Sequence, residues 1–136
     1  MANNKRGSQA LIQSMINQHI QYVFGIPGAK VDQLFEDLQY SDQPNAPKLI
    51  VTRHEQNAAF IAAGIGRLTG KPGVGATTSG PGVSNLVTAL MTATAEGDPV
   101  IGLGGQVPRD DLARLTHQSI PSKELMNFAA KSSVEV

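Results

Sequence analysis

Short apolar runs alternate with segments of helical spacing along nearly the whole 136-residue sequence. Val31, Leu34, Phe35 and Leu38, for example, recur at i, i+3, i+4 and i+7, which is one face of an amphipathic helix. The runs typical of strands are YVFG, KLIVT, GVGATTS, PVIGLGG and the final SSVEV. Strands that alternate with helices predict an α/β fold, with a parallel sheet and helices on both faces.

The boundaries of several elements can be predicted from capping residues and polarity. Residues 1–8 are polar and are expected to be flexible, which leaves residues 9–136 as one domain. Gly70, followed by Pro72, predicts a helix end. Ser79 is expected to be the N-cap of the next helix, with Pro81 in its first turn. KLIVT is too apolar for a strand with one exposed face, which suggests a sheet that is covered on both sides.

Composition excludes several classes of protein. The 11 basic and 11 acidic side chains cancel, so no electrostatic feature favours a nucleic acid or an acidic membrane as partner. The chain has no cysteine, which excludes disulfides and thiolate chemistry. Its N-terminus lacks the apolar core of a signal peptide, and no apolar run is long enough to span a membrane. We therefore expect a soluble, cytoplasmic protein.

Glu55 is the candidate catalytic residue that stands out. It follows the strand KLIVT and begins a helix rich in alanine and glycine. In a parallel α/β sheet, ligands bind at the carboxyl ends of the strands, which here lead into GIPGA, TRHEQ, TTSGPG and GGQV. Apolar surroundings favour the neutral form of a carboxyl group, so such an acid could exchange a proton near neutral pH. The alternative is an acid that only favours the positive end of the helix dipole.

Other polar motifs are less specific. TTSGPGVSN could hold an anion at a helix N-terminus, yet it lacks the lysine of a P-loop, and no GxGxxG is present. A tight glycine turn explains the motif equally well, and a nucleotide-binding domain is a distant alternative. His54 could act as a base and His117 could line a pocket, although lone histidines are more often structural. The spacing of the histidines and acids matches no metal site.

Four segments together resemble thiamine-diphosphate-dependent decarboxylases and synthases in their N-terminal pyrimidine-binding domain. The segments are FGIPGAKVDQLFEDL, RHEQNAAFIAAGIGRLTGKPGV, TTSGPGVSNLVTAL and EGDPVIGLGGQV. Within this family the chain is most similar to the acetolactate synthases, which condense two pyruvate molecules into 2-acetolactate and CO2. GIPGAKVDQLFEDL, RHEQNAAF and LTHQS resemble the catabolic branch, linked to acetoin and butanediol fermentation. His117 stands where the branch for branched-chain amino acid biosynthesis usually has an aromatic residue.

The resemblance assigns roles to single positions. The glutamate matching Glu55 shares a proton with ring nitrogen N1′ of the cofactor, and Gln118 matches a pocket glutamine near the cofactor and the substrate. The remaining matches line the cofactor or the substrate pocket. Those at the cofactor are Ile26, Pro27, Gly28, Thr78, Pro81 and Asn85, and those at the substrate are Gly28, Ala29, His117 and Gln118.

The resemblance also implies what lies outside this sequence. In the family a Gly-Asp-Gly motif of a separate C-terminal domain holds the diphosphate and Mg2+, and no such motif occurs here. We therefore expect a fragment of a longer enzyme, inactive alone, whose active site forms between subunits of a homodimer or larger homo-oligomer. Whether flavin (FAD) binds stays open. The alternatives are a pyruvate oxidase or another 2-keto-acid enzyme, and a noncatalytic dimerisation or binding domain.

Overall fold

The computed structural model describes residues 6–136, and residues 1–5 lie outside the described part. Most of the predicted flexible N-terminus, residues 1–8, thus falls outside it, whereas Gly7 and Ser8 begin the first helix. One 3₁₀ turn, Arg109–Asp111, follows the last strand. The remaining elements are α1 (Gly7–Asn17), β1 (Tyr22–Gly25), α2 (Asp32–Gln39), β2 (Lys48–Val51), α3 (Glu55–Thr69), β3 (Gly73–Thr77), α4 (Pro81–Glu96), β4 (Val100–Gly104) and α5 (Ser122–Ala129).

The four strands form one parallel sheet in the order β2-β1-β3-β4. The predicted α/β fold with a parallel sheet is confirmed. From β1 the chain moves outward to β2, then returns across the sheet to β3 on the other side of β1. The order in which strands are added to the sheet therefore reverses between β1 and β3. In open α/β folds, ligands bind in the crevice at the carboxyl ends of the two strands beside such a reversal.

Helices cover both faces of the sheet, as predicted. Side chains of α1 and α2 pack on one face around Val23, Val74 and Ala76. Small residues of α3, among them Ala58 and Ala62, pack on the other face, where α4 and α5 join them. The approach of α3 is very close, because a Cβ on Gly73 would lie 2.1 Å from the backbone oxygen of Ala62.

Two strand predictions are wrong in part. β2 is an edge strand whose Ile50 and Val51 are 40% and 61% exposed, so it is not covered on both faces. The reason is that α3, which returns the chain from β2 to β3, packs mainly on β1, β3 and β4. SSVEV forms no strand: among residues 6–136 no strand pairs with its backbone, and the segment instead lines a trough beside β4.

One prediction for the end of α3 is confirmed, and one for the start of α4 is wrong. Gly70 ends α3 with φ at 70°, and Pro81 is the first residue of α4. Ser79 is not the N-cap of α4. Gly80, with φ 62° and ψ −119°, lies between Ser79 and Pro81 and is the N-cap instead. In the last turn of α3, just before Gly70, Arg67 pairs with Asp98 at 2.9 Å. The hydrogen bond and charge of Asp98 raise the pKa of Arg67.

In the part of the chain that the structure describes, no helix is both long and apolar enough to cross a membrane.

Candidate functional site

The turns after the strands meet at one edge of the sheet. Gly25, the last residue of β1, pairs with Val51 on one side and Ala76 on the other. Hydrogen bonds continue this pairing beyond β1: the Ile26 amide donates to the Ala76 carbonyl at 3.3 Å, and the Thr52 amide donates to the Gly25 carbonyl at 2.9 Å. The sheet thus holds the starts of three of its turns in register.

Gly28 and Thr78 are in direct contact at the switch between β1 and β3. A Cβ on Gly28 would lie 2.7 Å from the Thr78 Cβ and 2.9 Å from its hydroxyl oxygen. Only glycine allows the two turns to approach this closely. The floor of the crevice is therefore made of backbone and a small polar side chain.

Hydrogen bonds fix the start of α3, where Glu55 lies. The Thr52 hydroxyl donates to the His54 carbonyl at 3.1 Å, and the same carbonyl accepts from the amides of Asn57 and Ala58. His54 is the N-cap of α3, since its Nδ1 accepts from the Gln56 amide at 3.1 Å. Glu55, the first residue of the helix, is half-buried.

Glu55 and Asn85 link α3 to α4. The Asn85 Nδ2 donates to the Glu55 Oε2 at 3.0 Å. Among residues 6–136, no lysine, arginine or histidine lies within ion-pair distance of Glu55. A carboxyl group held by a neutral donor keeps its orientation without being locked into an ion pair. It can therefore still exchange a proton with a nitrogen heterocycle placed beside it.

Gly80 brings the Gln118 segment onto the turn after β3. A Cβ on Gly80 would lie 2.7 Å from the Gln118 carbonyl oxygen and 2.9 Å from its Cα. Gln118 itself has φ at 63°, a left-handed conformation that costs a non-glycine residue about 1 kcal/mol or more. Such strain persists only where surrounding contacts impose it, and here the contact with Gly80 contributes.

Among residues 6–136, four buried hydroxyl groups have no hydrogen-bond partner: those of Thr77, Thr78 and Ser79 after β3, and that of Thr116. Thr77 and Ser79 are completely buried. Buried hydroxyls are normally satisfied, and orphaned ones point to a missing partner. Thr77, Thr78 and Ser79 surround the start of the turn that leads into α4, so this turn holds polar groups that the described residues do not satisfy.

The structure places five of the residues that the sequence predicted for the site in three separate contacts. Gly28 lies against Thr78, Asn85 binds Glu55, and Gln118 lies against Gly80. Ile26 and Pro27 follow β1 directly, and Pro81 begins α4; their side chains are apolar and form no hydrogen bonds. The side chain of His117 is exposed, and Ala29 lines the trough beside β4.

The trough has a volume of about 1640 Å³ and runs along β4 and α4, away from Glu55. A smaller cavity of about 350 Å³ lies beside Leu112, Arg114 and Lys123, and Glu55 does not line it either. Neither of these two cavities therefore encloses the half-buried carboxyl group of Glu55.

Sequence reasoning missed three features of this edge. His54 was considered as a base, whereas its ring caps α3, a role that histidine rarely takes. Gly80 was expected inside a tight turn, but its contact with Gln118 is 38 positions distant in sequence and has no local signal. The orphaned hydroxyls become visible only once their surroundings are known.

Within residues 6–136, no group of three or more potential metal ligands is present.

Comparison with known proteins identifies the family. Residues 5–127 match the model of the thiamine pyrophosphate enzyme, N-terminal TPP binding domain. The chain is 52% identical over 131 residues to an acetolactate synthase of Bacillus subtilis and 48% identical over 130 residues to a catabolic acetolactate synthase of Raoultella terrigena. A probable acetolactate synthase large subunit of Methanocaldococcus jannaschii is 37% identical over 137 residues.

Each of these alignments covers 96% of this chain and 22% of the relative. The chain thus spans about a fifth of the length of the relatives it matches. It belongs to the thiamine pyrophosphate enzyme family, in the N-terminal cofactor-binding domain, and the resemblance to acetolactate synthases is confirmed.

Proposed function

We propose that this member of the thiamine pyrophosphate enzyme family is the part of an acetolactate synthase that activates the pyrimidine ring of thiamine diphosphate. The observation that carries the proposal is the 3.0 Å hydrogen bond that holds the Glu55 carboxyl group to Asn85 at the carboxyl edge of the sheet. The names of the relatives with 52% and 48% identity support the reaction: two pyruvate molecules give 2-acetolactate and CO2.

Each residue at the edge has a distinct task in this proposal. Glu55 exchanges a proton with a ring nitrogen of the pyrimidine, and Asn85 keeps its carboxyl group oriented toward the ring. Ala58 and Ala59, both buried behind Glu55, exclude water from one side of the carboxyl group, which strengthens its hydrogen bond to the ring. When bound, thiamine diphosphate supplies the carbon nucleophile that attacks the keto group of pyruvate.

The turns around Glu55 would hold the ring and the substrate. Gly28 and Thr78 provide a floor, with Ile26, Pro27 and Pro81 at its rim. Gln118, pressed against Gly80, would reach the substrate side of the pocket, where Ala29 and His117 are further candidates. The diphosphate and Mg2+ would be held by another part of the longer enzyme, so this chain alone should bind the cofactor weakly and be inactive.

A second subunit would close the site. The outer side of α3 exposes Phe60, Ile61 and Leu68, and we name these three residues together with Gly64 the α3 face. A Cβ on Gly64 would meet nothing within 4 Å, so the fold of this chain does not require glycine there. Glycine inside a helix costs about 0.5–1 kcal/mol relative to alanine. A close-packed neighbour would account for it, and the helix that carries the α3 face begins at Glu55.

A chimera tests the function. In it, this chain replaces the matching 131 residues of the B. subtilis acetolactate synthase. We expect the chimera to form acetolactate from pyruvate, and Glu55→Gln to lower kcat by a hundredfold or more because the amide cannot exchange a proton. Glu124→Gln is the matched control, since Glu124 is also a first-turn acid, in α5, and is exposed.

The outcomes separate the alternatives. Equal activity of the Glu55→Gln and Glu124→Gln chimeras would mean that Glu55 is only a first-turn acid that favours the helix dipole. A noncatalytic dimerisation or binding domain would then be the better description. Acetyl phosphate or peroxide formation by the full-length parent enzyme, dependent on added flavin, would instead favour a pyruvate oxidase.

A further inference from the structure

The residue before Glu55 is an unusual helix cap. His54 has extended backbone angles, φ −155° and ψ 141°, and its Nδ1 accepts the hydrogen bond of the Gln56 amide at 3.1 Å. The usual N-cap residues are Ser, Thr, Asp and Asn, whose oxygens accept at every pH above the acid range. An imidazole nitrogen accepts only while it is unprotonated.

We propose that His54 is a positioning residue for Glu55, and that its cap makes the placement of the Glu55 carboxyl group dependent on pH. The inference rests on the proposed function, in which Glu55 exchanges a proton with the cofactor. It concerns the residue that sets the geometry of that exchange, which neither the family match nor the relatives assign.

A continuous series of hydrogen bonds connects the sheet to Glu55 through His54. The Thr52 amide is bound to the Gly25 carbonyl of β1, and the Thr52 hydroxyl donates to the His54 carbonyl. The His54 ring then fixes the Gln56 amide, which follows Glu55 directly. Glu55 is thereby held through its backbone by the first turn of α3 and through its side chain by Asn85 of α4.

Protonation of Nδ1 would remove the cap and place a positive charge at the positive end of the α3 dipole. Both effects act in the same direction: the cap is present on the alkaline side of the histidine titration and is lost on the acid side. The charged groups beside the ring are Arg53 and Glu55 on its own segment. The turn after β3 and α4 bring no ionisable side chain before Glu96, and the turn after β1 brings none before Lys30.

Nuclear magnetic resonance of the full 136-residue chain tests the inference. The Gln56 amide shift and the exchange protection of the Asn57 and Ala58 amides are followed between pH 5 and 8, with intrinsic exchange rates removed. We expect the wild-type chain to lose about fivefold protection in this turn on the acid side. His54→Asn, which keeps an acceptor at every pH, should abolish this pH dependence, and His54→Ala should lack the extra protection throughout.

His117→Asn is the control, because His117 is an exposed histidine outside α3 and should leave the titration of Gln56 unchanged. The same His54→Asn change in the chimera should flatten the acid side of the kcat profile and leave the alkaline side unaltered. A Gln56 amide that titrates alike in wild-type and His54→Asn chains would overturn the inference. If the titration is as expected but the Glu55→Gln chimera keeps full activity, the proposed function fails and the cap remains.

Discussion

The side-chain amide of Asn85 donates a 3.0 Å hydrogen bond to the carboxyl group of Glu55, joining α4 to the first residue of α3. This bond lies between two helices that belong to successive strand-helix units of the fold. It therefore depends on the whole sheet, and not on the local sequence of either helix. The predictions below address this pair and the contacts that surround it.

Removing the Asn85 amide should affect catalysis more than folding. We expect Asn85→Ala in the chimera to lower kcat about tenfold with little change in KM, because a hydrogen bond to a charged group contributes about 1.5–3 kcal/mol. Asn127→Ala, at an exposed position of α5, is the control and should leave both constants unchanged. A tenfold higher KM for pyruvate at constant kcat would mean that Asn85 contributes to substrate binding and not to the chemical step.

Gly80 and Gly97 both have positive φ, at 62° and 76°, but a Cβ meets the Gln118 backbone only at Gly80 and meets nothing at Gly97. They differ also in ψ, which is −119° at Gly80 and 21° at Gly97, so only Gly97 lies in the left-handed helical region that an alanine can enter. The amide resonance of Gln118, rather than the stability cost alone, therefore tests the contact. Gly97→Ala should cost about 1 kcal/mol of unfolding free energy from backbone strain alone. Gly80→Ala should cost more and should also shift the amide resonance of Gln118. Equal costs in urea unfolding, with an unmoved Gln118 resonance, would contradict the contact.

Gly28→Ala should separate the two turns at the switch between β1 and β3. The added Cβ would lie 2.7 Å from the Thr78 Cβ, so we expect a loss of about 1–3 kcal/mol in unfolding free energy. Gly7→Ala, where a Cβ meets nothing within 4 Å, provides the reference. Chemical denaturation of the three chains measures the difference, and a Gly28→Ala chain as stable as Gly7→Ala would argue against the close approach.

Gly64→Ala should have opposite effects on folding and on pairing. The single chain should gain about 0.5–1 kcal/mol of stability, because alanine suits a helix interior better than glycine. Subunit association of the chimera should weaken, because the methyl group would keep a neighbour away from the α3 face. Sedimentation equilibrium measures the association. Leu115→Ser removes a fully exposed apolar residue outside the α3 face, so it should leave association unchanged.

Alternation of strands and helices was enough to predict the fold class, because a strand-helix repeat leaves a parallel sheet as its common solution. The environment of β2 was not predictable in this way. KLIVT is as apolar as a central strand, yet strand order places it at the edge, and strand order is decided by crossover paths across the sheet. The strand predicted for SSVEV was wrong for a related reason, since a strand requires a neighbouring strand, which the segment itself does not specify.

The candidate site shows the same division. Glu55 could be identified from its position after a strand and before a small-residue helix, and its family resemblance gave it a role. Its partner Asn85 was identified by resemblance alone, because 30 positions separate the two residues. The cap by His54 was missed because histidine has no strong preference for that position, and only the placement of its ring next to the Gln56 amide reveals it.

Hydrogen exchange at C2 of the thiazolium ring of bound thiamine diphosphate tests the central claim most directly, because it measures proton transfer without turnover of pyruvate. The chimera is loaded with cofactor and Mg2+, mixed with D2O, quenched in acid and followed by proton magnetic resonance. We predict fast exchange in the chimera and in its Glu124→Gln variant, and exchange at least a hundredfold slower with Glu55→Gln. Exchange in the Glu55→Gln chimera at the unmodified rate would contradict the account.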